Sequence, residues 1–347
     1  MNRTMRAARY DQIGIRPRIA RIPVPACPPD AAIVRVEATG VCRSDWHAWR
    51  GHDPVPLPHV PGHEFAGTVD EIGSQVRKFA VGDRVTVPFV NGCGVCRWCR
   101  AGDAQVCPEQ TQPGFTHPGS FAEYVAVRAA DFNLVELPGG IDAVTAAALG
   151  CRFATAWRAL TAHARVGAGT EVAVFGCGGV GLSAAMIAVA LGARVTAVDL
   201  SDTALTRAAD LGAVATVRSA DPVGEVVAAT GGGPHVTVDA LGSPATADAA
   251  VRSLRRRGTH VQVGLMLGGA SRAPLPWDRV IAWELTIVGS HGMAAVDYPA
   301  MLAAVADGGL RPAELIGAVV DLAGAIDALL AMDRRSAGTS GIVVARP

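Results

Sequence analysis

The sequence predicts an α/β protein in two parts: a small β-barrel or sandwich with long loops, and a doubly wound parallel sheet. Three observations carry this expectation. Before residue 140, short alternating apolar and polar runs are separated by prolines and glycines. From Glu171 onward, apolar strands alternate with helical segments. At the first of those strands, Gly176, Gly178 and Gly181 form a G-x-G-x-x-G turn that opens a helix.

In chain order, Arg18–Ile22 and Ile33–Ala38 read as strands, with Val34 and Val36 set against Arg35 and Glu37. Prolines at 23, 25, 28 and 29 separate them. Val69–Ile72, Arg84–Val87 and Ala122–Val127 continue the pattern, and Gly82-Asp83 supplies a turn. Ile141–Ala164 is alanine-rich and reads as helix interrupted by Gly150. The second part has expected strands at Val172–Phe175, Arg194–Asp199, Ala213–Val217, His235–Asp239, Thr259–Val263 and Thr286–Val288. Helices are expected near 179–191, 202–211, 222–229, 244–256 and 276–283. Ser201 can cap the second of these at its start, and Gly212 can end it. The last residues mix helix (296–306, 323–332) with strand (Gly317–Val320, Gly341–Ala345). They should return to the first domain, because the six-strand set is complete before them. The expected division is 1–152 with 293–347 for one domain and 153–292 for the other.

Composition narrows the function classes. Lys plus Arg equals Asp plus Glu at 31 each in 347 residues, so no face is obviously built for nucleic acid or an acidic membrane. No membrane span is expected. The amino terminus, MNRTMRAARYDQIGIRP, lacks the apolar core of a secretory signal, so a cytoplasmic protein is expected. Eight cysteines in such a chain read as metal ligands or buried thiols rather than disulfides.

Four of them, Cys93, Cys96, Cys99 and Cys107, fall in C-x2-C-x2-C-x7-C. Four soft ligands at this spacing can close a tetrahedral thiolate cage that suits a structural zinc. An iron–sulfur cluster is the rival reading, although the last gap is too long for the ferredoxin run.

The glycine turn reads as a dinucleotide site. Its glycines let the backbone approach a pyrophosphate at the helix amino terminus, and Asp199 ends the next strand eighteen residues after Gly181. A carboxylate there accepts ribose hydroxyls and repels a 2′-phosphate, which favours NAD over NADP. Val263 and Leu265, in the run Val261-Gln-Val-Gly-Leu265, are placed where backbone amides could meet nicotinamide.

The stretch Gly40–Glu64, GVCRSDWHAWRGHDPVPLPHVPGHE, concentrates the remaining chemistry. Beside a nicotinamide cofactor, Cys42 and His63 can supply two zinc ligands, and Cys151 is a well-placed third thiol. Three protein ligands leave one position open, as a catalytic zinc requires, and Cys2His is already known as the zinc ligand set of alcohol dehydrogenase. Zinc lowers the pKa of bound water from about 15.7 to about 7, and an alcohol hydroxyl should respond similarly. The released proton needs a way out, for which the hydroxyl at 44 and the imidazole at 47 are candidates.

These motifs resemble the zinc-dependent medium-chain alcohol dehydrogenases, of the medium-chain dehydrogenase/reductase superfamily. The resemblance rests on GVCRSDWH (40–47), GHE (62–64), the four-cysteine lobe, GCR (150–152), GCGGVG (176–181) and Asp199, and it spans essentially the whole chain. It implies a GroES-like catalytic domain, a Rossmann cofactor domain, and two zinc ions per chain, one catalytic and one structural. It implies that Cys42, His63 and Cys151 hold the catalytic zinc. Asp45 would orient His63, Glu64 would stand behind the metal as a transient ligand, and Arg43 would bind the cofactor pyrophosphate with Gly179 and Val180 in the turn. Ser44 would hydrogen-bond the substrate oxygen and His47 would pass its proton to solvent.

The implied reaction is reversible hydride transfer between a primary or secondary alcohol and NAD. Trp46, Phe89 and Leu265 are expected in the substrate pocket, while His52 and His59 are expected to be loop residues, with a place in the pocket lining as the alternative for His52. A polyol or other specialised dehydrogenase is the nearest alternative, and Cys151 weighs against it because the polyol branch typically has Glu there. A catalytically silent zinc- and NAD-binding regulatory protein is the alternative from another class. By analogy, and from the bare edge strand Thr286–Val288, a homo-oligomer is expected, a dimer or tetramer.

Overall fold

A computed structural model describes residues 3–333 and 341–347. The chain opens with β1 (Thr4–Arg9), β2 (Arg18–Pro23), β3 (Ala32–Val41), β4 (Glu64–Ile72), β5 (Arg84–Thr86), β6 (Tyr124–Val127) and β7 (Val135–Glu136). It continues through β8 (Glu171–Phe175), β9 (Arg194–Val198), β10 (Ala215–Val217), β11 (Val236–Asp239), β12 (Thr259–Gln262) and β13 (Thr286–Gly289). It closes with β14 (Ile316–Asp321) and β15 (Ile342–Arg346). Two compact units result: Met1–Ala154 with Gly292–Gly308 and Pro312–Pro347, and Thr155–His291 with Gly309–Arg311.

In the first unit, β1 pairs with β2, and a seven-stranded sheet runs β14-β15-β3-β4-β5-β7 with β6 also on β3. The long strand β3 makes this possible. Its Ala32–Arg35 end pairs with β6 and its Thr39–Val41 end with β15, while β4 follows it on the other side. Register shifts at Ile33/Val34 and Val36/Ala38 mark bulges, which let a strand bend and change partners. Val34 and Val36 enter a core with Phe65, Val69, Val85, Val125 and Val127, as their alternation with Arg35 and Glu37 predicts. The returning carboxyl-terminal strand β15 lies antiparallel to β3.

The second unit holds six parallel strands in the order β10-β9-β8-β11-β12-β13. The order reverses beside β8, and a doubly wound sheet binds ligands at such a switch point, beyond the strands' carboxyl ends. Every expected strand and helix of this unit is present, within a few residues at its ends.

Two local expectations change. Residues 43–49 form a short helix within Gly40–Glu64, a stretch whose glycines and prolines suggest mostly loop. No glycine or proline falls between Val41 and Arg50, and Gly51 at φ 75° then lets the chain turn away. Around Gly150 the helix is not broken; it widens into a π-turn over Leu149–Phe153, a device common at functional sites. Among the described residues, no helix is long and apolar enough to cross a membrane.

Candidate functional site

The centre of the first unit is Asp45, fully buried in the first turn of the helix Arg43–Trp49. Its Oδ2 accepts the Cys42 N–H at 3.1 Å, closing the strand-to-helix turn at the end of β3. Its Oδ1 accepts the Gly62 N–H and the His63 Nδ1–H, each at 2.9 Å. One carboxylate thus joins the two ends of Gly40–Glu64 and sets the histidine tautomer, leaving a lone pair on Nε2. Gly62 sits at φ 103°, and a Cβ there would lie 2.6 Å from Phe121. Only glycine lets the chain pass.

Cys42, His63, Glu64 and Cys151 offer ligand atoms all within 4.8 Å of one another. Cys151 arrives on the π-turn, whose Gly150 carbonyl accepts the buried Tyr298 hydroxyl at 3.1 Å. His63 Nε2 is buried without a hydrogen-bond partner among the described residues. An orphaned acceptor between two thiols is costly in a closed interior and is what a Cys2His metal centre leaves when drawn without its ion. The residues therefore fit zinc.

Asp45 and a Cys42 thiolate draw positive charge to the cluster, which His63 takes up as a proton only where no cation does. A hydrogen bond from Cys151 holds the Cys42 thiol well below its ordinary range against burial, helped by Arg152 and His63. The same contact, with burial, pushes Cys151 well up. Burial alone would lower the His63 imidazole, but Asp45 and then Cys42 outweigh it and hold it well above the usual histidine range. The cluster is prepared to carry charge.

Glu64 also reaches this group, yet Arg152 engages both its oxygens: Nε on Oε1 at 3.1 Å, the backbone N–H on Oε1 at 3.0 Å, and Nη2 on Oε2. Burial raises the Glu64 carboxyl and Arg152 opposes that. In this state Glu64 ties β4 to the π-turn.

Around the cluster, Phe89 and Phe115 stand 5.9 and 5.1 Å from the His63 ring, and Ser44 Oγ lies 3.8 Å from Cys42 Sγ. Arg43 donates to the Met332 carbonyl at 2.7 Å and lies over Trp46, whose indole N–H bonds Asp333 at 2.8 Å. Trp46 is thus held by the carboxyl-terminal segment as well as lying near the site. His59 is a buried structural residue on the Gly114 carbonyl. His52, expected to be a plain loop residue, meets His47 at 3.0 Å between their Nδ1 atoms. Spacing did not point to that pair; only the turn at Gly51 forms it.

The four-cysteine lobe closes on itself. Cys93 and Cys99 sulfurs are 3.9 Å apart, and Cys96 and Cys107 sulfurs 3.7 Å. A tetrahedron with Zn–S bonds of ~2.3 Å has edges of about 3.8 Å. A cluster, binding its cysteines through different irons, would hold them further apart, so one ion fits better. Backbone N–H groups of Cys93, Cys96 and Cys99 each donate to a lobe sulfur at 3.4 Å. Backbone bonds from Val95 and Cys96 bring the Cys93 thiol down to about 7. All eight cysteines are free thiols.

In the second unit the glycine turn follows β8. Gly176 takes φ 90°, and a Cβ on Gly181 would lie 1.8 Å from the Gly176 carbonyl, so the helix can start only if residue 181 is glycine. A Cβ on Gly178 would meet nothing within 4 Å, an open cradle facing away from the protein. Asp199 accepts the Cys177 N–H at 2.6 Å and the Ser201 N–H at 2.8 Å, joining the turn to the end of β9. Gly179 and Val180 begin the helix Gly179–Ala190. The turn and Asp199 fit a dinucleotide.

One expected contact changes. The Val263 and Gly264 N–H groups both donate to the Asp239 carbonyl, at 3.0 and 2.8 Å, so the Val263 amide is not available to nicotinamide. Leu265 beyond them is 39% exposed.

Comparison with known proteins finds relatives along most of the chain. Residues 28–139 match the model of the alcohol dehydrogenase GroES-like domain, and residues 179–307 that of the zinc-binding dehydrogenases. An alcohol dehydrogenase of Geobacillus stearothermophilus is 34% identical over 313 residues, covering 88% of this chain and 90% of its own. One from Rhizobium meliloti is 36% identical over 293 residues, covering 83% and 84%. Among solved structures, the alcohol dehydrogenase from Thermus sp. ATN1 superposes with a TM-score of 0.90 at 31% identity over 99% of both chains. A protein described as a zinc-binding dehydrogenase from Sinorhizobium meliloti 1021, bound to NADP, gives 0.89 at 30% identity over 99% of this chain and 100% of its own.

Proposed function

The chain belongs to the zinc-dependent medium-chain dehydrogenase/reductase family, and from that membership we propose an NAD-dependent alcohol dehydrogenase with two zinc sites. The observation that carries the catalytic reading is His63 Nε2, buried and unpartnered beside Cys42 and Cys151 while Asp45 holds Nδ1. In this reading Cys42, His63 and Cys151 hold the catalytic zinc, and Cys93, Cys96, Cys99 and Cys107 hold the structural one. When bound, zinc supplies Lewis acidity at the substrate oxygen and NAD accepts the hydride.

The chain's own residues do the rest. Asp45 keeps the His63 proton on Nδ1, so that Nε2 is always the ligand atom. Ser44 takes the hydroxyl proton of the alcohol, and His47 receives it from there. Phe89 and Phe115 wall the site and keep water from the reacting carbon. Glu64, held by Arg152, would be a reserve ligand for the metal. The glycine turn holds the pyrophosphate, aided by Gly179 and Val180. Asp199 accepts the ribose hydroxyls, which favours NAD; the NADP-bound relative makes this a point to measure.

Serine at 44 lacks the methyl that threonine carries, which leaves space beside the metal for bulkier or secondary alcohols. NADH formation at its absorbance band, over matched primary and secondary alcohols with NAD and NADP, tests the whole reading. Turnover with NAD and a secondary preference that weakens in Ser44→Thr is expected. No turnover on any alcohol refutes the enzyme; an unchanged preference in Ser44→Thr refutes the pocket argument.

A further inference from the structure

His47 closes the helix Arg43–Trp49, and the turn at Gly51 folds the next residues back over it. The His52 N–H bonds the His47 carbonyl at 2.9 Å, and the two Nδ1 atoms meet at 3.0 Å. Trp46 packs edge-on against both rings, at 4.9 and 5.3 Å between centroids. The indole is itself held by Asp333, which also pairs with Arg50. An exposed histidine is therefore fixed by a hydrogen bond and a packed ring rather than left free. His47 is half-buried and His52 exposed, so the pair runs from the interior to solvent.

We propose that His47 and His52 form a two-imidazole proton wire, with His52 as the outer group that exchanges the reaction's proton with water. This rests on the alcohol dehydrogenase reading above. Two nitrogens 3.0 Å apart hold one proton between them, so one ring donates while the other accepts. During alcohol oxidation a proton arrives at His47 Nε2, the Nδ1 proton of His47 moves to His52 Nδ1, and His52 Nε2 releases its own to water. One proton enters and one leaves, and both rings have exchanged tautomer. The exchanged pair is the form that supplies a proton inward when a carbonyl is reduced, so the wire serves both directions.

The charges around the pair favour outward transfer. Burial, then His52 and Arg43, pull the His47 imidazole down to about 4 against the opposing Cys42. Above that pH His47 does not retain a second proton and must pass it on. The other charged groups nearby are Arg50, paired with Asp333, and Asp53, next to His52 in sequence.

The test uses His52→Gln, an exposed change that can still hydrogen-bond but cannot carry a proton through. Alcohol oxidation at about pH 6–7 should slow by roughly tenfold, less than the ~10²-fold of a directly acting acid–base group. Added imidazole should restore it, and NADH affinity by fluorescence should stay unchanged. Independently of turnover, ¹⁵N-histidine NMR of the cofactor-free protein follows His47 directly. The His47 titration should move in His52→Gln. An unchanged pH–rate profile, a loss that imidazole cannot restore, or an unmoved His47 titration overturns the wire. Failure of the native protein to oxidise any alcohol overturns the underlying reading instead.

Discussion

Replacing Asp45 by asparagine isolates what the buried carboxylate contributes. Its oxygens accept three donors, the N–H groups of Cys42 and Gly62 and Nδ1–H of His63. An asparagine side chain has one oxygen and one NH2, so in either orientation at least one buried donor faces another donor. Leaving such a group unsatisfied costs about 1–3 kcal/mol, a loss that a domain of ~5–15 kcal/mol total stability survives. Removing the carboxylate behind a histidine ligand should also lower metal affinity about 10- to 100-fold. That is ~1.4–2.8 kcal/mol at ~1.4 kcal/mol per tenfold. Urea titration of metal-free native protein and Asp45→Asn measures the first effect. Zinc content after dialysis against a competing chelator measures the second, and the variant should lose zinc from one site while the cysteine lobe keeps its own. Equal urea midpoints together with equal zinc retention would refute the idea that Asp45 braces the site.

Gly178→Ala should fold normally, because its Cβ meets nothing within 4 Å, yet bind NADH at least tenfold more weakly by fluorescence titration. Gly181→Ala, which would press a Cβ to 1.8 Å from the Gly176 carbonyl, should lower the melting temperature as well. Cys107→Ala should remove one zinc by elemental analysis and expose residues 93–107 to proteolysis; normal metal content would dismiss the cage. Glu123 titrates below its ordinary range because Arg6 outweighs the effect of burial. Its contribution to stability is therefore present above the unfolded carboxyl pKa and is lost as pH falls through the lower folded value. Denaturant midpoints measured downward from pH 6 should fall in that acid range less steeply in Glu123→Gln than in the native protein.

The parallel sheet was legible because each strand is a short apolar run bounded by turns, and its glycine turn is dictated by close backbone approach. Gly181 would be glycine in any such turn, whatever surrounds it. The cysteine cage was legible for the same local reason: four ligands in fifteen residues need little else to meet. The helix Arg43–Trp49 could have been found from the absence of glycine and proline in that interval. Long-range contacts could not be found this way. Arg152 lies beside Cys151 in sequence, but its hold on both oxygens of Glu64 depends on where β4 meets the π-turn. The pairing of His47 with His52, though local, depends on the path of one turn at Gly51. The Val263 amide was lost to Asp239 through the register of β11 beside β12. Residue type and spacing, then, determined which chemistry this chain can hold, since metal ligands and phosphate turns are local demands. Tertiary structure decided which donor faces which acceptor, because those pairings are set by the path of turns and by packing between segments far apart in the chain.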